Sequence, residues 1–282
     1  SQVDGNHGFE IGINSTNIHN RNFKWNTNFV LSYYRNYYVK RDANYVLGIN
    51  ETQRQDVNDM WQYVVDGMIP AGNPNAGALK FKDLNGYLRD DSGNIVMVNG
   101  KPAYSGSPDG MIDEADMIYK GNSTPIPFSL NNSFEFGKFD VNVYFYGMFN
   151  NWQKNSTYTM FAGNLQNVAL YGENTLKSLA NRWSYDNLNS SIPSIFAHVE
   201  STAAQRNGYY LEKAWFLRCD NVSLGYTFKT KKSNKYFSSL RVYAAARNLF
   251  VITPYSGSDP ETDSQAAYPN SRTYTFGIDI TF

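Results

Sequence analysis

Across the last twelve residues, Ser271 to Phe282, apolar and polar side chains alternate almost without a break. Successive side chains of a strand point to opposite faces. Tyr274, Phe276, Ile278, Ile280 and Phe282 therefore share one face, and Thr273, Thr275, Gly277, Asp279 and Thr281 share the other. The first suits an apolar surrounding and the second suits water. A half-buried strand of a soluble sandwich has the same period, so the discriminating observation is recurrence. A chain that crosses a bilayer with strands repeats the pattern at hairpin spacing and contains no spanning helix.

The pattern recurs at about 8–18, 23–40, 125–136, 139–153, 214–229, 239–253 and 271–282, with a weaker eighth segment expected inside 43–124. Each of the seven reaches the ~9–11 residues that a tilted strand needs to span. In 128–136, Phe128, Leu130, Phe134 and Phe136 oppose Ser129, Asn131, Ser133 and Glu135. In 139–149, Phe139, Val141, Val143, Phe145 and Phe149 oppose Asp140, Asn142, Tyr144 and Tyr146. The connections alternate in length: short near 19–22, 137–138 and 230–238, long near 43–124, 154–213 and 254–270. Outer-membrane barrels have short periplasmic turns and long extracellular loops, which puts this C-terminus on the periplasmic side. Seven strands in an open sheet leave two unpaired edges, which lipid does not tolerate. The alternatives are a small eight-stranded barrel or a part of a larger one.

Composition agrees with strands and narrows the function. Charged residues make up 18% of the chain and aromatic residues 16%, with 22 Tyr and 18 Phe. A net charge of zero and a pI near 6.8 supply no field to hold nucleic acid. Mean hydropathy is −0.52 and no run of about 18 apolar residues occurs, which excludes a transmembrane helix. A barrel evades that criterion because only alternate residues meet lipid. Cys219 is the single cysteine, has no Cys or His companion in sequence, and reads as a small strand residue. Ser1 opens mid-pattern with no leader, so the chain reads as a piece of a longer protein.

Several segments in this order resemble the C-terminal barrel region of the SusC/RagA family of TonB-dependent outer-membrane transporters. They are 79–86 (LKFKDLNG) with 109–116 (DGMIDEAD), 127–140 (PFSLNNSFEFGKFD), 215–228 (WFLRCDNVSLGYTF), 240–250 (LRVYAAARNLF) and 268–277 (YPNSRTYTFG). The resemblance implies an all-β fold, the C-terminal portion of a 22-stranded antiparallel transmembrane β-barrel closed around a plug, with residues 1–282 supplying its last seven or eight strands. It also implies a SusD-like surface lipoprotein as lid, TonB engaged through an N-terminal region outside this sequence, and oligosaccharide or peptide cargo. Phe282 looks like the family's barrel-assembly signal.

One polar constellation carries chemistry. Asp83-x-Asn85, continued after an insertion by Asp109-Gly110-Met111-Ile112-Asp113-x-x-Asp116, reads as an interrupted calcium loop. Asp83, Asn85, Asp109, the Met111 carbonyl, Asp113 and Asp116 would offer hard oxygen ligands suited to a structural Ca²⁺ rather than to Zn²⁺. Residues 87–108 interrupt it, and Asp at the last position reaches less far than Glu. A solvated acidic turn is the competing reading. No organic cofactor is expected.

Trp61, Tyr63, Trp183 and Tyr185 fall in the two longest loops, where exposed aromatic faces could stack on sugar rings or, alternatively, anchor the loops by packing. Tyr33, Tyr34, Tyr37, Tyr38 and Trp152 fit an interfacial girdle. His7, His19 and His198 stand apart in sequence, and no nucleophile elbow, P-loop or HExxH motif occurs. Asp259 and Glu261 could be paired glycosidase carboxylates but fit a turn beside Pro260. The chain is thus expected not to be an enzyme but to take part in outer-membrane import, touching lipid and no nucleic acid. A surface carbohydrate-binding or adhesive β-protein is the alternative.

Overall fold

The computed structural model describes residues 2–42, 45, 47, 51–155, 176–194, 208–229, 236–262 and 268–282. Seven long strands form one antiparallel sheet in chain order: β1 (Val3–His19), β2 (Phe23–Lys40), β3 (Ile126–Phe136), β4 (Phe139–Phe149), β5 (Phe216–Lys229), β6 (Ser239–Ile252) and β7 (Thr273–Thr281). Each strand pairs with its neighbour in sequence, which leaves β1 and β7 as the sheet's edges.

The register converts the period-2 pattern into two chemically distinct faces. One row runs Ile13, Phe29, Leu130, Phe145, Cys219 and Phe250 across six strands. The adjacent row, on the opposite face, runs Asn14, Asn28, Asn131, Tyr144, Asn221, Arg247 and Thr273 across all seven. A one-residue slip in any strand would exchange the faces. Besides irregularities in the β1–β2 pairing at Val3/Asp4 and Thr16/Ile18, the register shifts where Asp220 bulges out of β5 and Asn248 of β6 takes φ 50°. Beyond the bulge the faces stay in phase because both strands absorb it together.

The apolar face is not covered. Phe276 is 82% exposed and Ile278 64%. Most of the buried hydrophobic side chains gather instead among the long connections and the strand ends they leave, Tyr63, Leu79, Ala115, Leu179, Trp183, Phe216 and Tyr255 among them. No helix among the described residues is long and apolar enough to cross a membrane.

All seven expected strands are present within a few residues, with two differences. The segment 139–153 is broken at Asn150, whose φ of 51° turns the chain, so that Trp152–Lys154 leaves the main sheet and pairs with Leu211–Lys213. The weak eighth segment does not join the sheet among the described residues. Residues 51–124 form short separate ladders, Asp59–Gln62 with Ile118–Asn122 and Val65–Met68 with Leu79–Phe81 among them. Their positive-φ glycines, such as Gly67 at 83° and Gly72 at 89°, turn the chain too often for a spanning strand. The turn at 230–235, much of 154–213 and His198 lie outside the described residues.

Candidate functional site

Strict antiparallel pairing sends all three long connections out of the same end of the sheet, where they tie to one another. The Asn150 amide donates to the carbonyls of Asn122 at 2.8 Å and Thr124 at 3.0 Å, holding the second connection against the first. Gln153 donates to the Thr262 carbonyl at 2.8 Å, and Asn155 donates to both Glu212 and Ser256 at 2.9 Å, holding the second against the third. The first connection returns to the sheet at Asp56, 1% exposed, which pairs with Arg35 of β2 at 2.7 Å.

The interrupted acidic loop is rejoined in space. Its insertion folds as a β-arm that leaves at Gly86 and returns at Ser105, whose amide donates to the Gly86 carbonyl at 2.8 Å. Asn85 Oδ1 accepts from the Gly86 and Gly106 amides at 3.1 and 2.9 Å. Gly86 passes so close to Asp109 that a Cβ there would sit 2.5 Å from a carboxylate oxygen. The carboxylates fold back onto the chain. Asp83 accepts from the Asp109 and Gly110 amides at 3.2 and 2.6 Å, and Asp109 from Met111 at 2.9 Å. Asp116, fully buried, accepts from Leu84 at 2.6 Å, Asn85 at 3.1 Å and Asp113 at 2.9 Å. Among the described residues, no three His, Cys, Asp or Glu side chains gather as a metal cluster. Burial first, then the neighbouring charges of Asp109 and Asp116, pushes the Asp113 carboxyl up, while the Ala115 amide opposes the shift. Tyr87, at the base of the arm, is pushed up to about 12 by burial and then by Asp113.

The four loop aromatics divide. Tyr63 and Trp183 are 2% and 4% exposed and serve as packing anchors, not as exposed stacking faces. Trp183 lies against Gly77, whose φ of 81° and lack of a Cβ admit the indole. Ser194 donates to the Gly77 carbonyl at 2.8 Å beside it. Trp61 is half-buried with its ring 5.2 Å from that of Tyr119. Only Tyr185, 73% exposed and 5.4 Å from Trp183, presents a free face. Of the expected girdle, Tyr33 and Tyr37 share the apolar-face row of β2 with Phe29 and Leu31, whereas Tyr34 and Tyr38 point to the polar face. Trp152 belongs to the loop layer.

The most buried cation among the described residues was not singled out by sequence pattern. Arg218, on the polar face of β5, meets Asp259 at 2.7 Å and Glu261 at 2.6 Å. Tyr146 donates to the same Glu261 carboxylate at 2.9 Å. Asp259 and Glu261 are therefore neutralised by a guanidinium, an arrangement that pins the third connection to the wall and leaves neither free as a general acid or base. A lone Arg inside an alternating strand is the only sequence signal for it. His7 sits edge-on to Tyr37 at 5.3 Å, and no nucleophile or acid–base pair accompanies it among the described residues.

No family model matches the chain. Its sequence is 26% identical to the TonB-dependent receptor SusC of Bacteroides thetaiotaomicron over 98% of its own length and 26% of that receptor. It is also 26% identical to the TonB-dependent receptor P3 of Formosa agariphila, over 98% of the chain and 28% of the receptor. The fold matches that of the RagAB peptide transporter with a TM-score of 0.70 at 20% identity, covering 100% of this chain and 30% of that one. A second structure, the RagAB peptide importer in its closed-closed state, matches with a TM-score of 0.67 at 21% identity. The chain thus spans about a quarter to a third of the length of the proteins it resembles. It is therefore similar in sequence, over nearly all its residues, to TonB-dependent receptors such as SusC, and it has the all-β fold of a section of the RagAB transporter.

Proposed function

We propose that this chain is a section of barrel wall in an outer-membrane transporter that imports nutrients by binding and gated passage, without covalent chemistry. The observation that carries the reading is the uncovered apolar face of a seven-stranded antiparallel sheet whose connections are short at one end and long at the other. In lipid that face needs no protein cover, and the edges at β1 and β7 require further strands. The apolar rows would meet lipid, the Asn-rich rows the lumen. The tied long connections would lie outside the cell and Phe282 on the periplasmic side. Oligosaccharides or peptides are the cargo classes, a SusD-like lipoprotein the lid, and TonB the energy-coupling partner acting through a segment other than this one.

Purification of the native protein from outer membranes in mild detergent, with mass spectrometry of what accompanies it, tests this reading. Recovery with a surface lipoprotein supports it. Recovery from the soluble fraction, alone, would mean that the apolar face closes in water and would overturn it. Calcium ordering of the loop at Asp83, Asn85, Asp109, Met111, Asp113 and Asp116 is proposed alongside, supported by the oxygen-rich ligand types and by the approach of Gly86 to Asp109. Calorimetric titration with Ca²⁺ checks it. Unchanged binding in Asp109→Ala removes the assignment.

A further inference from the structure

Where the first and second long connections meet, a cavity of about 310 Å³ opens among Gln62, Tyr63, Lys120, Trp152 and Tyr209, with Gly208 at its wall. Small-ligand sites begin at about this volume, roughly 300 Å³. Four features make it a built pocket. Gln62 is only 9% exposed, lines the cavity, and its amide has no hydrogen-bond partner among the described residues. The amide is open to the cavity, so a ligand there would take the place of water as its hydrogen-bond partner. Gly208 gives that amide its room, since a Cβ there would stand 2.5 Å from Gln62 Oε1. Trp152 and Tyr209 contribute aromatic surface, the indole having the Lys213 ammonium 5.7 Å from its ring. Lys120, exposed at the cavity, has no ion-pair partner among the described residues, and none of the described residues lining the space is a carboxylate.

Resting on the import reading, we propose that this pocket binds one acidic sugar ring, a hexuronate unit of an oligosaccharide. Aromatic surface suits the C–H face of a pyranose. The Gln62 amide both donates and accepts, which matches a hydroxyl. An unpaired ammonium without a competing carboxylate selects a negatively charged substituent over a neutral one. A neutral glycan would leave Lys120 unmatched. A peptide segment would offer no pyranose face to Trp152.

The test uses the full-length protein in detergent, with saturation-transfer NMR and calorimetry. The probes are tetramers of galacturonate, mannuronate and guluronate, their carboxyl-reduced neutral counterparts, and tetraglutamate. The expected result is binding of at least one uronate tetramer about five- to tenfold tighter than its neutral counterpart, a gap that closes in Lys120→Gln. Trp152→Ala should weaken acidic and neutral tetramers together by about tenfold. Gly208→Ala, which displaces the amide without touching the aromatic wall, should weaken both less. Failure of every uronate tetramer to bind, equal binding of the neutral forms, an unchanged gap in Lys120→Gln, or displacement by tetraglutamate overturns the proposal. Such a failure in protein recovered from outer membranes leaves the import reading standing. Recovery from the soluble fraction removes that reading whatever the pocket binds.

Discussion

Arg218 and Asp259 face each other at 2.7 Å with 2% and 4% of their side chains exposed. They join a strand of the wall to a loop forty-one positions further along the chain. Isolating either charge in that setting is far costlier than never having buried the pair. The contact therefore fixes where the loop lies more than it adds to net stability.

Replacing Arg218 by Met should free the third connection. Asp259 and Glu261 would be left near one another without their cation, a loss of about 3–5 kcal/mol for a broken buried pair. Hydrogen exchange should rise across 253–262 while the β3–β4 ladder keeps its protection. Unchanged exchange in 253–262 would show that the loop is held by other contacts.

Two glycines of the wall should respond in opposite ways to alanine. At Gly147 of β4 an added Cβ would collide with the Phe216 carbonyl and with the Phe128 ring at 2.7 Å, whereas at Gly12 of β1 nothing lies within 4 Å. Gly147→Ala should cost about 1–3 kcal/mol by overpacking. Gly12→Ala should be neutral or stabilising by up to about 1 kcal/mol, since glycine weakens a strand interior. Urea unfolding in detergent micelles measures both, and equal midpoints would contradict the packing described.

The rejoined acidic loop should tighten in acid. Burial raises the Asp113 carboxyl above its ordinary value of 3.8, so the folded loop holds that proton more firmly than the open one. The stabilisation is complete below 3.8 and is lost as the pH climbs through the folded value. Amide exchange at Leu84 and Asn85, corrected for intrinsic rates, should report less frequent opening at pH 4 than at pH 7. Asp113→Asn keeps an acceptor for the Ala115 amide and should flatten that dependence. A slope that survives the substitution would place its origin elsewhere.

Trp183 is expected to act as a fastener between loops. Trp183→Ala removes a buried indole at a cost of about 3–5 kcal/mol, and limited proteolysis should then cut within 176–194 first. Gly77→Ala should produce the same cleavage from the opposite side of the contact, since it both strains a φ of 81° and fills the space of the indole. Tyr185→Ala, at a 73% exposed ring, should leave the cleavage pattern unchanged.

The wall was legible because alternation is a local property: β2, expected at 23–40, is observed as Phe23–Lys40. The loop layer was less so, because burial there depends on partners distant in sequence. Nothing around Tyr63 distinguishes it from Tyr185, yet one is enclosed by Phe81 and its neighbours and the other is open to solvent. The insertion at 87–108 looked like a break in the acidic loop, since sequence spacing does not reveal that its two ends meet. Asp259 and Glu261 were visible as a pair, but the guanidinium that claims them sits on a strand where a single Arg carries no motif. The unpartnered amide of Gln62 lies in a short run, Asp59–Gln62, too brief for periodicity to place its side chain.

The β-arm from Tyr87 to Tyr104 enters and leaves through a single doorway, closed by the bond between Ser105 and Gly86. A segment hinged in this way is modular: shortening or extending it changes the closure entropy only with the logarithm of its length. Its outward residues, Met97 and Val98 among them, are about half exposed. The tip of this arm can therefore drift, or carry a grafted tag, without retuning the register of the wall.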